Sequence, residues 1–217
     1  INNVVRYIAL CIRVEMTDDI IHKKTMIIAI TGASGSILAS KTIDALLSRN
    51  IPTAVVASNP ARIVWRQEMD ESFGEAIERW SESQDFTNYA IGDIQSPIAS
   101  GTYPTMGMAV VPSSMATVSA IANGISDNLA RRAADVCLKE RKPLIIVPRE
   151  SPLNNVHLTN LAKVSSYGAT VIPSDPPFYL PINTLEESAG FTSMRILLAL
   201  GVITELPKEM QYKGKYN

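Results

Sequence analysis

Residues 26–47 read MIIAITGASGSILASKTIDALL. The run Met26–Thr31 is apolar, the turn Thr31–Ser36 is rich in glycine and serine, and Ile37, Leu38, Thr42, Ile43, Leu46 and Leu47 then recur at helical spacing. A strand that passes through such a turn into a helix is the opening unit of an α/β sheet. The alternation continues outward from it. Thr53–Ala57 reads as a second strand, closed by Ser58, with Asn59 as a cap and Pro60 as the first residue of a helix running to Glu68. Met108–Pro112, Leu144–Pro148 and Ala169–Ile172 are further strands. Ser114–Ala122, Asn128–Arg141, Leu153–Tyr167 (stopped by Gly168) and a stretch from about Thr184 to Leu200 are helices. Residues 70–106 are less regular, with one helical stretch at Glu75–Trp80 and a loop at Ile91–Tyr103. Uninterrupted apolar strands between helices predict a parallel sheet covered on both faces, an α/β, three-layer, Rossmann-like or flavodoxin-like fold.

Composition narrows the function classes. A chain of 217 residues has room for one domain. Its 20 Lys and Arg against 21 Asp and Glu leave a net charge of −1, which excludes bulk electrostatics as a route to nucleic acid or to an anionic membrane. Two cysteines, Cys11 and Cys137, make no disulfide framework, so a reducing cytoplasm is the expected compartment. With only His22 and His157 beside them, no zinc spacing can be assembled, and no metal is expected. No apolar run approaches the ~18 residues of a membrane span. Val4–Ile12 is short, is broken by Arg6 and makes a poor signal peptide. Met26 directly precedes the first strand, so residues 1–25 are expected outside the domain, with the domain at 26–203 and a tail at 204–217.

In a parallel α/β sheet ligands bind beyond the carboxyl ends of the strands, which selects the loops 31–36, 58–60, 112–117 and 148–152. The first is an anion site by chemistry, since backbone N–H groups and a helix start favour negative charge. It is not a dinucleotide fingerprint. The spacing is Gly32-x-x-Gly35 and Leu38 stands where a third glycine belongs. No acid follows the second strand, which ends Val55-Val56-Ala57-Ser58. No tyrosine has a lysine four residues on, and the loop has no lysine for a nucleotide P-loop. A mononucleotide phosphate, with hydroxyls from Ser34 and Ser58, fits better; the plainer alternative is a tight turn with no ligand.

Arg132, Asp135 and Lys139 share one helix face. They are either a solvated stripe with an Asp135–Lys139 pair or a pair of cations, Arg132 and Lys139, converging on an anion. Arg131, Arg141 and Lys142 read as plain surface charge. Arg149 and Glu150 follow an apolar strand at the ligand edge, where charges are paired with each other or functional. Arg195, embedded among Met194, Ile196, Leu197 and Leu198, needs a partner or a ligand, or else snorkels to water. Tyr179 lies in a proline-rich loop, as a site residue or a packing aromatic. His157 reads as structural. Met106, Met108, Met115, Trp65 and Trp80 read as core, with Trp65 close enough to Glu68 to flank a pocket.

The string Thr31-Gly32-Ala33-Ser34-Gly35, then Ser100-Gly101-Thr102, Asn128-Leu129, Arg132-Ala133-Ala134-Asp135-Val136, Leu138-Lys139-Glu140-Arg141, Pro148-Arg149-Glu150-Ser151-Pro152-Leu153, His157-Leu158 and Pro177-Phe178-Tyr179 resembles the UbiX-type flavin prenyltransferases over about residues 26–203. The resemblance implies metal-independent transfer of a dimethylallyl group from dimethylallyl monophosphate to N5 and C6 of reduced FMN. The prenylated FMN would serve a separate UbiD-type decarboxylase, for example in ubiquinone synthesis. It implies that Gly32, Ala33, Ser34, Ser58, Ser114, Met115, Ala116, Thr117 and Arg149 hold FMN. It assigns the substrate phosphate to Arg132, Lys139, Tyr179 and Arg195, and acidic active-site roles to Glu68 and Glu150. It also implies homododecamers built from trimers, with sites at subunit contacts. The chain departs from the family pattern at Asn59, Ser113, Ala116, Asp175 and Leu180. Two rival readings are an FMN-dependent decarboxylase of the cysteine-decarboxylase superfamily and a non-catalytic flavin carrier. The segment P-x-M-N-x-x-M-W and the catalytic histidine typical of the former are not visible, and the joint presence of Arg132, Lys139, Tyr179 and Arg195 argues against the latter.

Overall fold

A computed structural model describes residues 24–214. Six strands form one parallel sheet: β1 (Thr25–Ile30), β2 (Thr53–Ala57), β3 (Phe86–Tyr89), β4 (Thr105–Ser113), β5 (Leu144–Pro148) and β6 (Thr170–Val171). Their order across the sheet is β3-β2-β1-β4-β5-β6. Seven α-helices join them: α1 (Ser36–Leu47), α2 (Asn59–Glu68), α3 (Phe73–Ser81), α4 (Met115–Ala122), α5 (Leu129–Lys139), α6 (Asn155–Ser166) and α7 (Leu185–Ala199).

The alternation along β1 divides the core in two. Met26, Ile28 and Ile30 point to the face covered by α1 and α7, while Ile27 and Ala29 point to the face covered by α4, α5 and α6. All six residues of β1 are buried, as a central strand covered on both sides requires. The expected α/β architecture is therefore the one observed.

Three details differ from the sequence reading. Strand β3 falls in the stretch that reads as irregular; Phe86-Thr87-Asn88-Tyr89 is a half-exposed edge strand with no apolar run to announce it. With it, the strand order becomes that of the dinucleotide folds even though their fingerprint is missing. At α2 the cap is Ser58, whose side chain accepts the Ala61 N–H, so Asn59 is the first helical residue and Pro60 the second. Thr25 already belongs to β1; the rest of the expected N-terminal extension, with Cys11 and His22, lies outside the described residues except for Lys24.

The corner beneath β2 and β3 is aromatic. Trp65 is fully buried and meets Phe73 edge-on at 5.3 Å and Trp80 at 5.7 Å between ring centroids. Both indoles find acceptors, Trp65 Nε1 on the Glu71 carbonyl at 3.1 Å and Trp80 Nε1 on Asp44 Oδ1 at 2.7 Å. Trp65 is thus core and lines none of the three cavities described below. Trp65→Ala should lower unfolding free energy by about 3–5 kcal/mol in urea titrations, and a loss under 1 kcal/mol would show that this corner does not hold α2 and α3 in place.

Candidate active site

The strand order reverses between β1 and β4, so the chain leaves their carboxyl ends in opposite directions and opens a crevice there. Thr31 closes the seam beneath it. Its N–H and its Oγ1 both donate to the Pro112 carbonyl at 3.1 Å, and Oγ1 accepts the Ser114 N–H at 2.7 Å. The turn after β1 is held just as closely on its other side, since a Cβ on Gly32 would collide with the Pro60 side chain. Gly35 sits at φ 113°, the left-handed conformation that glycine adopts without strain.

Two cavities flank this turn. One, about 390 Å³, is lined by Gly32, Ser58, Asn59, Ser114, Ala116 and Thr117 among others. Ser114 caps α4, its Oγ accepting the Thr117 N–H at 3.3 Å and donating to Thr117 Oγ1 at 3.1 Å. The other, about 580 Å³, is lined by Ser34, Gly35, Glu68, Arg149, Glu186 and Ala189 among others. The predicted cofactor residues divide between the two, Arg149 and Ser34 on one side and Gly32, Ser58, Ser114, Ala116 and Thr117 on the other. Ala33 and Met115 are buried and line neither.

The start of α1 is where the sequence reading places a phosphate, and a carboxylate of the chain itself sits there. Glu68 Oε2 accepts the N–H groups of Gly35 at 2.9 Å and Ser36 at 2.8 Å. Partial burial works against the ionised carboxylate, but hydrogen bonds from Ser34, Ser36 and Gly35 outweigh it and hold Glu68 below its ordinary value. Ser34 thus bonds Glu68, and a protein carboxylate already fills the anion place at this helix start.

The cations fall into two groups. On α5, Arg132 donates through Nη1 to Asp135 at 2.8 Å and through Nε to the Ala99 carbonyl at 3.1 Å. Lys139 pairs with Glu140, and these two side-chain ends crowd Gly101. Asp135 therefore serves Arg132, not Lys139. Both cations face the 99–101 loop, so they do share a surface. Tyr179 and Arg195 instead line a cavity of about 570 Å³ with Asp175, Phe191 and Thr192. Helices α5 and α7 cover opposite faces of the sheet, so within one chain Arg132 and Lys139 do not join Tyr179 and Arg195. Glu150 is exposed, accepts the Ser151 N–H at 3.1 Å, is not paired with Arg149 and lines none of the three cavities.

Sequence reasoning passed over three participants. Arg131 lines the 390 Å³ cavity and is not plain surface charge. Lys142 donates to the Tyr103 carbonyl at 3.2 Å and to Thr105 Oγ1 at 2.8 Å, tying α5 to the start of β4. Tyr212, in the tail, meets Tyr179 edge-on at 5.5 Å. Only Arg131 left a signal, as one step along the helix from the residue that was singled out. The His157 ring has a structural contact, Nδ1 accepting the Asn154 N–H at 3.4 Å in the reciprocal cap of α6.

Hydroxyls, amide N–H groups and a guanidinium around the first cavity, with Arg149 in the second, are a donor set that fits a flavin mononucleotide spanning the turn. No helix among the described residues is long and apolar enough to cross a membrane. The flavoprotein family model matches residues 15–199. A flavin prenyltransferase UbiX of Chlamydia pneumoniae is 38% identical over 186 residues, covering 86% of this chain and 97% of that protein. The structure of AnUbiX in complex with FMN and dimethylallyl pyrophosphate is 32% identical with a TM-score of 0.82, over 90% of this chain and 100% of that one. A dodecameric FMN-dependent UbiX-like decarboxylase from Escherichia coli O157:H7 is also 32% identical, with a TM-score of 0.80 over 88% of this chain and 100% of that one.

The Glu68 contact sets an acid-side prediction. Its carboxyl is lower in the folded chain than its ordinary value of 4.5. The stabilisation is therefore complete above that value and is lost as pH falls below it, through the depressed native value. Thermal melts from pH 7 down to pH 3 should show a shallower acid decline for Glu68→Gln than for the parent, and parallel curves would remove Glu68 as the cap of α1.

Proposed function

The chain belongs to the UbiX-type flavin prenyltransferases of the flavoprotein family, and on that basis we propose that it transfers a dimethylallyl group from dimethylallyl monophosphate to N5 and C6 of reduced FMN. The product would pass to a UbiD-type decarboxylase. When bound, the reduced flavin supplies the nucleophilic ring positions. The observation that carries the reading is the reversal cleft, with Gly32, Ser58, Ser114, Ala116 and Thr117 around one cavity and Arg149 on the other, in a chain 38% identical to a flavin prenyltransferase UbiX over 86% of its length.

Each residue group then has a chemical task. Gly32, Ala33, Ser58, Ser114, Met115, Ala116, Thr117 and Arg149 hold the flavin. Arg132, Lys139, Tyr179 and Arg195 hold the phosphate ester and offset the charge that grows on it as the allylic C–O bond breaks, the work a divalent cation does elsewhere. Each charge-assisted contact of this kind contributes about 1.5–3 kcal/mol. Glu150 Oε1 is committed to the Ser151 N–H, and Oε2 remains to move a proton. Glu68, kept ionised at the start of α1, fixes the turn and places negative charge in the same cavity as Arg149.

Because α5 and α7 lie on opposite faces of the sheet, the four phosphate ligands converge only if copies of the chain contribute different members. The reading therefore includes a homo-oligomer, a dodecamer built from trimers, in which the α5 face of one protomer meets the Tyr179 and Arg195 cavity of another. The dodecameric relative supports this assembly.

Mass spectrometry of the flavin recovered after incubation with reduced FMN and dimethylallyl monophosphate tests the activity, with the pyrophosphate ester run in parallel. A prenyl adduct is expected; unchanged FMN would leave only a carrier, and carbon dioxide released from an acid substrate would favour the decarboxylase reading. Lys139→Ala and Arg195→Ala should each abolish transfer while FMN still binds. Co-expressed as mixed oligomers, the two inactive chains should regain part of the activity, because some sites then receive both intact residues. Mixed oligomers as inactive as either parent would sink the shared site.

A further inference from the structure

The 390 Å³ cavity beside the Gly32 turn is walled by the starts of three helices. Ser58 caps α2, Ser114 caps α4 and Asn128 caps α5, and all three line it. Each cap satisfies one N–H of its first turn and leaves others unsatisfied, and each start carries the positive end of its helix dipole. Arg131 is the one charged side chain in the lining, which includes no carboxylate. Its guanidinium is partly committed, Nη1 donating to the two oxygens of Asp127 at 2.7 and 2.8 Å. Its Nε is buried and has no partner among the described residues. A buried donor of this kind calls for an acceptor that the described residues do not supply. The other cation of the cleft, Arg149, shares its cavity with Glu68, whose carboxylate already occupies the start of α1. Of the two cavities, only the Arg131 side combines a cation with unfilled N–H groups and a lining free of carboxylates.

We propose that Arg131 is a cofactor-binding residue of this chain. It pairs with the phosphate monoester of the flavin nucleotide and makes the cleft prefer FMN over riboflavin. The inference rests on the flavin-binding reading above and adds to it a residue and the part of the ligand that it selects.

The test is titration of the purified protein with FMN and with riboflavin, for the parent, Arg131→Gln and Arg131→Met, the last keeping the packing of the stem. The parent should bind FMN more tightly. Both variants should lose about 10- to 100-fold in FMN affinity, the range for one charge-assisted contact. Riboflavin affinity should stay unchanged, and the FMN titration should become less sensitive to salt. Equal losses for both flavins, or a preference as strong in the variants as in the parent, would overturn the role of Arg131 alone. A parent that binds neither flavin would overturn the flavin reading and this inference with it. Melting curves without flavin identify a variant that has failed to fold, and the other variant then decides.

Discussion

The flavin cleft of this chain is anchored at the seam where β1 and β4 end side by side. The two strands run parallel at the centre of the sheet, and their successors turn away from each other. Backbone groups at such a reversal have no next strand to pair with. Thr31 resolves the problem with one side chain and one N–H, bonding the Pro112 carbonyl twice and taking the Ser114 N–H. That junction fixes the distance between the first turn and the cap of α4, and so fixes the crevice itself. A valine of similar shape at this position would leave the Ser114 N–H and half of the Pro112 contact unmet.

Much of this was legible in the amino acids. The five apolar strands, the covering helices and the four ligand-edge loops follow from periodicity and from where glycine, serine and proline fall. What stayed hidden has physical reasons. Strand β3 is paired by backbone alone along an exposed edge, so its side chains carry no pattern. The cap of α2 moved by one residue because Ser58 and Asn59 are both competent caps, and register decides between them. Glu68 could be singled out by resemblance, but its bond to a helix start 32 residues earlier is tertiary geometry. The same holds for Arg131, whose neighbour on the helix, Arg132, faces the 99–101 loop while Arg131 faces the cleft.

The division of the cations between sheet faces gives the assembly a chemical purpose. A monomer with Arg132, Lys139, Tyr179 and Arg195 gathered in one pocket would pack four polar side chains beside one another and pay for their mutual repulsion and desolvation during folding. Here each pair is set on its own surface, with Arg132 and Lys139 neutralised by Asp135 and Glu140. In the proposed shared site, association would bring these cations together only where a phosphate ester is received. Oligomerisation and substrate affinity would then be linked, a ligand bridging two protomers stabilising their contact to the same extent.

The aromatic corner has a spectroscopic consequence. Trp65 and Trp80 are the only tryptophans in the chain and sit in one cluster with Phe73, lining none of the three cavities. Their ultraviolet emission therefore reads the integrity of that corner. A flavin seated in the crevice can quench it only through space, by resonance energy transfer to the ring and not by touching an indole. A dimming that tracks flavin concentration without a shift in emission wavelength would thus measure occupancy, whereas a red shift would report loosening of α2 and α3.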